Sequence, residues 1–254
     1  MTPPAGHEVV ALHAAYEPLL LQRFYNDILE PCFGMYPDEL DDLESFHAQL
    51  TQSSHDSECL YHILLLLDKE GRSTILAGVC FEYYRRSNCG LVTYIATNPN
   101  VDTKGQGLGR YLTDNALRTL HDQARRHGHP KCRAVFLESN SDEVVNDVMP
   151  PARRRQLLTL WGLSFLEFDY VQPRLSEERD ACKTLRLAVF NDALVETPGV
   201  GFGLPSRDLV AFLTDFYTVL MGSVALTCDP DAIRQLAWLQ THPTVQVEKR
   251  TPTR

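Results

Sequence analysis

The sequence predicts a mixed α/β sheet followed by a helical C-terminal extension, and three observations predict it. Two long apolar runs, 60–67 and 74–84, are joined by Asp68-Lys69-Glu70-Gly71-Arg72-Ser73, which carries turn chemistry, so they read as an antiparallel hairpin. A third run, 91–97, leads through a glycine-punctuated turn into a helix-like stretch ending near His127, and then into a further apolar run from Ala134. Antiparallel strands first and a strand–helix–strand unit later make a mixed sheet. After residue 192 the periodicity becomes helical. The expected division is 1–192 for the sheet domain and 193–254 for an extension packed on it.

Taken in order, residues 1–8 are small and Pro-containing and read as a frayed end. Over 9–29 the residues Leu12, Tyr16, Leu19, Leu20 and Phe24 recur at helical spacing, with Pro18 marking the alternative helix start. Cys32 to Pro37 reads as a loop. Asp38, Glu39, Asp41, Asp42 and Glu44 crowd the start of a second helix reaching about Leu50. They complement its dipole, or they form an acidic lip beside an amine-binding cleft. The hairpin follows, then a turn over 85–90, then the strand 91–97, which Pro99 stops.

The helix after the glycine turn sets Leu108, Tyr111, Leu112, Ala116, Leu117, Leu120 and Ala124 on one face, and Gly128 caps it. A short buried strand, 134–137, ends in Glu138-Ser139-Asn140. Pro150 and Pro151 open a helix through Trp161 that Gly162 ends. Strands are expected over 163–171 and 184–190. In the extension, Ser206 caps a helix with the stripe Leu209, Phe212, Leu213, Phe216, Tyr217 and Leu220. Asp229-Pro230 opens another, with Ile233, Leu236 and Ala237 facing inward.

The net charge of −9 argues against nucleic acid as the main partner, because phosphate binding needs a basic surface, and suits a cationic partner better. The seven cysteines are odd in number and scattered, with no C-x-x-C pair, and read as reduced thiols of a cytoplasmic protein. No apolar run approaches the ~20 residues of a membrane helix, and the N-terminus carries no signal pattern. No zinc site or other metal centre is expected, since His127, His129 and Cys132 sit on one loop and supply no four-ligand cage.

The glycine turn, Lys104-Gly105-Gln106-Gly107-Leu108-Gly109-Arg110, carries the chemistry. Glycine visits φ > 0 without steric cost and lets backbone N–H groups approach a ligand. A helix N-terminus adds unpaired donors and partial positive charge, so the turn suits a phosphate. It lacks the Lys-Ser/Thr ending of a nucleotide-triphosphate loop, and Arg110 breaks the dinucleotide spacing. Arg153-Arg154-Arg155 at a helix start opposes the dipole and reads as a solvated face, or as the tether of an anion.

Tyr94-Ile95-Ala96-Thr97-Asn98-Pro99 followed by this turn resembles motif A of the GNAT acyl-CoA-dependent N-acetyltransferases, usually written Q/R-x-x-G-x-G/A. Lys104 stands where Gln or Arg is usual. The stretch 157–165 resembles the later segment that ends in a Gly before the sixth strand, and Phe168 to Pro173 is similar to a subset of bacterial members.

The resemblance implies a GNAT-type fold, with antiparallel N-terminal strands and a central parallel pair splayed at the cofactor. It implies acetyl-CoA as co-substrate, its pyrophosphate on the backbone of Lys104, Gly105, Gln106, Gly107, Leu108, Gly109 and Arg110. The pantetheine would lie along Tyr94, Ile95, Ala96 and Thr97 and meet Asn140, with the Ala96 N–H as oxyanion donor. The acceptor would be a primary amine of a small molecule or peptide. A carboxylate must deprotonate that amine: Glu138 is the first candidate and Glu82 the second, the alternative for either being an ion pair with an arginine. Leu158 stands where many members carry the Tyr that protonates the leaving thiolate. Tyr170 or Ser139 would substitute, or the thiolate would leave unaided. The other reading of Leu158 is a catalytically idle acyl-CoA-binding or sensor module. A homo-oligomer is compatible with either.

Overall fold

In the computed structural model, which describes residues 3–36, 38–52, 56–69, 74–144, 147–197 and 201–248, the chain forms two units. The first comprises residues 1–85 and 90–132, the second 86–89 and 133–254.

The first unit begins with a strand where the sequence suggested a frayed end and a helix. β1 (His7–Ala11) pairs antiparallel with β2 (Cys59–Asp68), Val9 facing Leu66 and Val10 facing Leu65. Helical spacing through Leu12 and Tyr16 masked a β-branched pair whose partner lies about 55 residues downstream. The helix starts at Pro18: α1 (Pro18–Phe24) continues through a π-helical turn (Tyr25–Leu29) into α2 (Glu30–Phe33), so Cys32 and Phe33 are helical and not part of a loop. α3 spans Leu43–Gln52, capped by the Asp42 carboxylate, which accepts from the Ser45 N–H at 2.7 Å. This supports the dipole reading of the acidic stretch at Asp42.

The hairpin is present. β2 pairs antiparallel with β3 (Ile75–Tyr84), with a register shift at Leu66/Leu67; residues 70–73 of its connection lie outside the described residues. β4 (Cys89–Thr97) lies beside β3 and ends two residues before Pro99. The strands β2 and β3 are apolar on both faces because both are covered. Leu21, Phe24, Ile28 and Phe46 pack with Tyr61, Ile63, Leu65 and Cys80 on one side. α4 (Leu108–Arg126) covers the other with Leu108, Leu112, Ala116, Leu120 and Ala124. Gly78 permits this closeness, since a Cβ there would stand 2.2 Å from the Phe24 ring.

A histidine, His62, is buried under α4, with the half-buried His13 beside it. The His62 Nδ1–H donates to the Leu60 carbonyl at 2.9 Å, which leaves Nε2 to accept from the Gln123 amide at 3.3 Å. His13 lies 4.5 Å away ring to ring, and Phe81 stacks at 5.1 Å. Burial, the His13 neighbour and the Arg126 charge together push His62 down to about 3, against the Leu60 hydrogen bond that raises it. The unfolded chain therefore binds a proton below pH ~6.5 that the folded chain refuses. This contribution to stability is complete above pH 6.5 and is lost as pH falls from there towards 3. At one pH unit per 1.36 kcal/mol, roughly 2–3 kcal/mol is gone at pH 4.5. Thermal melts from pH 7 to 4.5 should show that slope, and His62→Gln should flatten it; an equal slope in both proteins removes His62 as the cause.

The second unit carries β5 (Ala134–Asn140), α5 (Pro151–Leu160), β6 (Leu163–Phe165) and β7 (Leu185–Phe190). β7 lies between β5 and β6 and runs antiparallel to both. β5 is three residues longer than its apolar run, so Glu138, Ser139 and Asn140 are paired strand residues, opposite Leu187, Arg186 and Leu185. The strand expected over 163–171 stops at Phe165; beyond it the chain makes only isolated bridges, Leu166 to Val247 and Gln172 to Cys182.

β8 (Val195–Thr197), β9 (Gly201–Pro205) and β10 (Thr244–Gln246) form a small antiparallel sheet with β9 in the middle, which the helical reading of the tail missed. α6 (Ser206–Met221) buries Leu209, Phe212, Leu213, Phe216 and Tyr217, and Phe212 stacks on Phe136 of β5 at 4.4 Å. Ser206 does not cap it: Pro205 holds that position, and the Ser206 hydroxyl donates to the His242 carbonyl. After α7 (Ala225–Cys228), α8 (Pro230–Thr241) is capped as expected, the Asp229 carboxylate accepting from the Ala232 N–H at 2.8 Å. Its buried face is Ala232, Gln235 and Leu239, while Ile233 and Ala237 are exposed. An apolar stripe misidentified the face because its central residue is a glutamine.

Candidate functional site

The glycine turn sits in the first unit between β4 and α4. Gly105 and Gly107 both have positive φ, +76° and +69°, which side chains with a Cβ adopt only under strain. Within the turn the Lys104 N–H donates to Asp102 Oδ1 at 3.3 Å and the Gln106 N–H to the Thr103 carbonyl at 3.3 Å. Gly107 is the N-cap residue of α4. No side chain caps the helix and its first turn contains no acid, so its first N–H groups, which lack intrahelical partners, face outward from an exposed turn. The Arg110 side chain is held by Asp114 at 2.9 Å. With the Lys104 and Gln106 N–H groups engaged within the turn, what suits a diphosphate is the uncapped first turn of α4, free of acidic residues, with a helix dipole worth ~0.3–2 kcal/mol.

Of the β4 residues, Tyr94 turns its ring inward between Phe33 (5.3 Å) and Phe46 (5.8 Å). Its hydroxyl donates to the Glu39 carbonyl at 2.6 Å and accepts from the Asp41 N–H at 3.2 Å, which fastens the acidic stretch to the strand. Ala96 packs half-buried on the same core, Ile95 is half-buried and Thr97 exposed. Asn98 then anchors the exit from the strand, its amide donating to the Ile75 carbonyl at 2.8 Å. Glu82, the second base candidate, belongs to this unit and is half-buried on β3. It accepts from the Tyr84 hydroxyl, with the Cys59 thiol at 4.0 Å and Tyr61 opposite on β2.

The second unit holds Glu138, Tyr170 and Asn140. It joins the first two directly: the Tyr170 hydroxyl donates to Glu138 Oε1, and the Gln172 amide donates to Oε2 at 3.1 Å. Burial and the Glu138 charge push the Tyr170 hydroxyl well above its usual range, so it stays protonated and donating. Gln172 is a member of this cluster that the sequence reading passed over. Its signal was present in an extended segment: residues 170 and 172 share a side. Ser139 points away from this carboxylate's face of the strand, buried with no hydrogen-bond partner for its Oγ.

Asn140 donates through Nδ2 to Asp147 Oδ2 at 3.2 Å, and Arg154 donates to the same oxygen at 2.6 Å. Burial alone would raise the Asp147 carboxyl, but the Arg154 hydrogen bond and charge, the Asn140 amide and the Met149 N–H outweigh it and hold it low. Arg155 pairs with Asp142. Two of the three consecutive arginines are therefore engaged by carboxylates of the chain itself, and Arg153 alone is exposed. Leu158, 3% exposed, is a core residue of α5.

Against solved structures, the chain aligns with a protein assigned to the GNAT family of acetyltransferases, from Bacteroides thetaiotaomicron. The alignment covers 85% of this chain and 98% of that one, at 16% identity and a TM-score of 0.51. An acetyltransferase from Streptococcus agalactiae aligns over 74% and 99% (14%, 0.47). The ribosomal-protein-S18-alanine N-acetyltransferase from Escherichia coli aligns over 72% and 92% (14%, 0.44). No family model matches the sequence, and no curated protein matches it. At such identity the first likeness establishes the fold, and the chain has the mixed α/β GNAT-type fold. Among the described residues no helix is long and apolar enough to cross a membrane.

Proposed function

On this fold, we propose that the protein is a cytoplasmic N-acetyltransferase that moves an acetyl group from acetyl-CoA to a primary amine of a small molecule or peptide, by direct attack in a ternary complex. The observation that carries the reading is the glycine turn: two left-handed glycines at the uncapped start of α4, directly after β4. Bound there, acetyl-CoA supplies an activated thioester. The backbone from Lys104 to Arg110 holds its diphosphate, and Tyr94 to Thr97 offers the strand edge for the pantetheine, with the Ala96 N–H as donor to the developing oxyanion. Asn140 is held by Asp147 and so has one fixed orientation.

An amine with pKa about 10.4 needs ~4.6 kcal/mol to reach its nucleophilic form at pH 7. Glu138 takes that proton, directly or through a water, and Tyr170 and Gln172 fix the plane of its carboxylate. Tyr170 therefore serves Glu138, and its firmly held proton makes it a poor donor to a thiolate, whose pKa near 8.5 lets it leave unaided. Incubation with acetyl-CoA and a panel of amines, read by free-thiol release, tests the reading. Thiol release above the amine-free rate is expected on at least one amine; background release on every amine, with acetyl-CoA demonstrably bound, overturns it.

Leu158 favours one other reading, an idle acyl-CoA-binding or sensor module, because an apolar core residue occupies the position of the usual acid. Leu158→Tyr separates the two. A large gain in turnover from an inactive parent supports the sensor, and a briskly active parent disposes of it.

A further inference from the structure

The tail helix α8 makes three contacts with one short segment of its unit, all from one face. Trp238 packs edge-on against Phe168 at 5.4 Å, and Arg234 pairs with Asp169. Between them Gln235, completely buried, reads the backbone of Val171 in both directions. Its Oε1 accepts from the Val171 N–H at 3.0 Å, and its Nε2 donates to the Val171 carbonyl at 3.2 Å. The same Nε2 donates to the Tyr217 hydroxyl of α6 at 2.9 Å, and that hydroxyl reaches the Val171 carbonyl at 3.4 Å. Trp238 stands at i+4 from Arg234 and at i+3 from Gln235, the spacings at which helix side chains are neighbours.

Val171 is the residue between Tyr170 and Gln172, the two donors to Glu138. Gln172 is tied on its far side by backbone bonds to Cys182 at 3.0 and 3.1 Å. Past Phe165 this stretch has no ladder of its own, so the Gln235 amide replaces a neighbouring strand. A buried backbone N–H and C=O require such partners.

We propose that Gln235 is a positioning residue for the transfer reaction: the tail clamps Val171 and so sets Tyr170 and Gln172 on the Glu138 carboxylate. It rests on Glu138 acting as the base proposed above. The extension is thereby part of the catalytic apparatus without touching a substrate.

The test uses the full chain with Gln235→Leu, which keeps the volume and removes both hydrogen bonds to Val171 and the one to Tyr217. Tyr217→Phe is the milder partner: it removes only the hydroxyl that anchors the amide, should the first fail to fold. Three measurements are read. Amide exchange by mass spectrometry over 168–173 should accelerate tenfold or more. In protein carrying carboxyl-13C glutamate, the Glu138 resonance, identified by its loss in Glu138→Gln, should move. With an accepted amine, kcat should fall tenfold or more and the acid limb of its pH profile be displaced, while acetyl-CoA affinity by calorimetry stays within about twofold. Exchange or a Glu138 resonance unchanged in both variants overturns the clamp whether or not any amine is acetylated. A moved resonance with kcat and its acid limb unchanged overturns the positioning role. A parent without turnover on any amine counts against the proposed function alone, and exchange and resonance then decide the clamp.

Discussion

Replacing Gly107 by valine is expected to weaken acetyl-CoA binding in calorimetry by a hundredfold or more, while the far-UV circular dichroism stays that of the parent protein. The reason is backbone conformation. A Cβ at position 107 meets no atom within 4 Å, so nothing collides. The residue's φ of +69° and ψ of 17° are left-handed, a region that costs an ordinary residue roughly 1–2 kcal/mol and a β-branched one more. The turn escapes that strain by rotating the peptides on either side of position 107. The N–H groups at the start of α4 then no longer converge. The 19-residue helix keeps its five buried apolar contacts and remains folded. An affinity unchanged in Gly107→Val takes the diphosphate away from this turn.

Glu138→Gln is expected to lower kcat by about 10²–10⁴, the span of general base catalysis, and to leave the KM for acetyl-CoA nearly unchanged. Glutamine preserves the shape and one acceptor for the Tyr170 hydroxyl, and its new NH2 can donate to the Gln172 Oε1, which has no partner in the parent, once that amide turns over, so the loss reports chemistry. The parallel variant Glu82→Gln, on β3 with Tyr84, is expected to change kcat by less than threefold. The outcome that reverses the assignment is the opposite ranking, with Glu138→Gln as active as the parent and Glu82→Gln inactive. Steady-state kinetics on one accepted amine decides it.

Local signals made much of this legible in the sequence. Glycines at 105 and 107 announced a left-handed turn because few other residues tolerate that backbone, and the hairpin announced itself by two apolar runs around a polar connection. Gly128 and Asp229 did the same for helix ends. What stayed hidden depended on distant partners. β1 was obscured because Val9 and Val10 fit both periods, and only pairing with Leu65 and Leu66 decides between them. Glu138, Ser139 and Asn140 read as the strand's polar ending, since nothing local says that β7 continues alongside. Asp147 carries no pattern of its own; it matters for Asn140 and Arg154, which meet on it only in the folded chain.

The buried face of α8 was the instructive failure. Hydrophobic periodicity treats a glutamine as surface, yet here its amide is matched to a backbone with a donor and an acceptor at once. That match narrows which side chains can do the same at this position. Asparagine carries the same amide one methylene short, glutamate lacks the donor, and leucine or methionine fills the space while stranding Val171. A size-conserving exchange at position 235 therefore loses what the glutamine does, which sets it apart from an ordinary core residue.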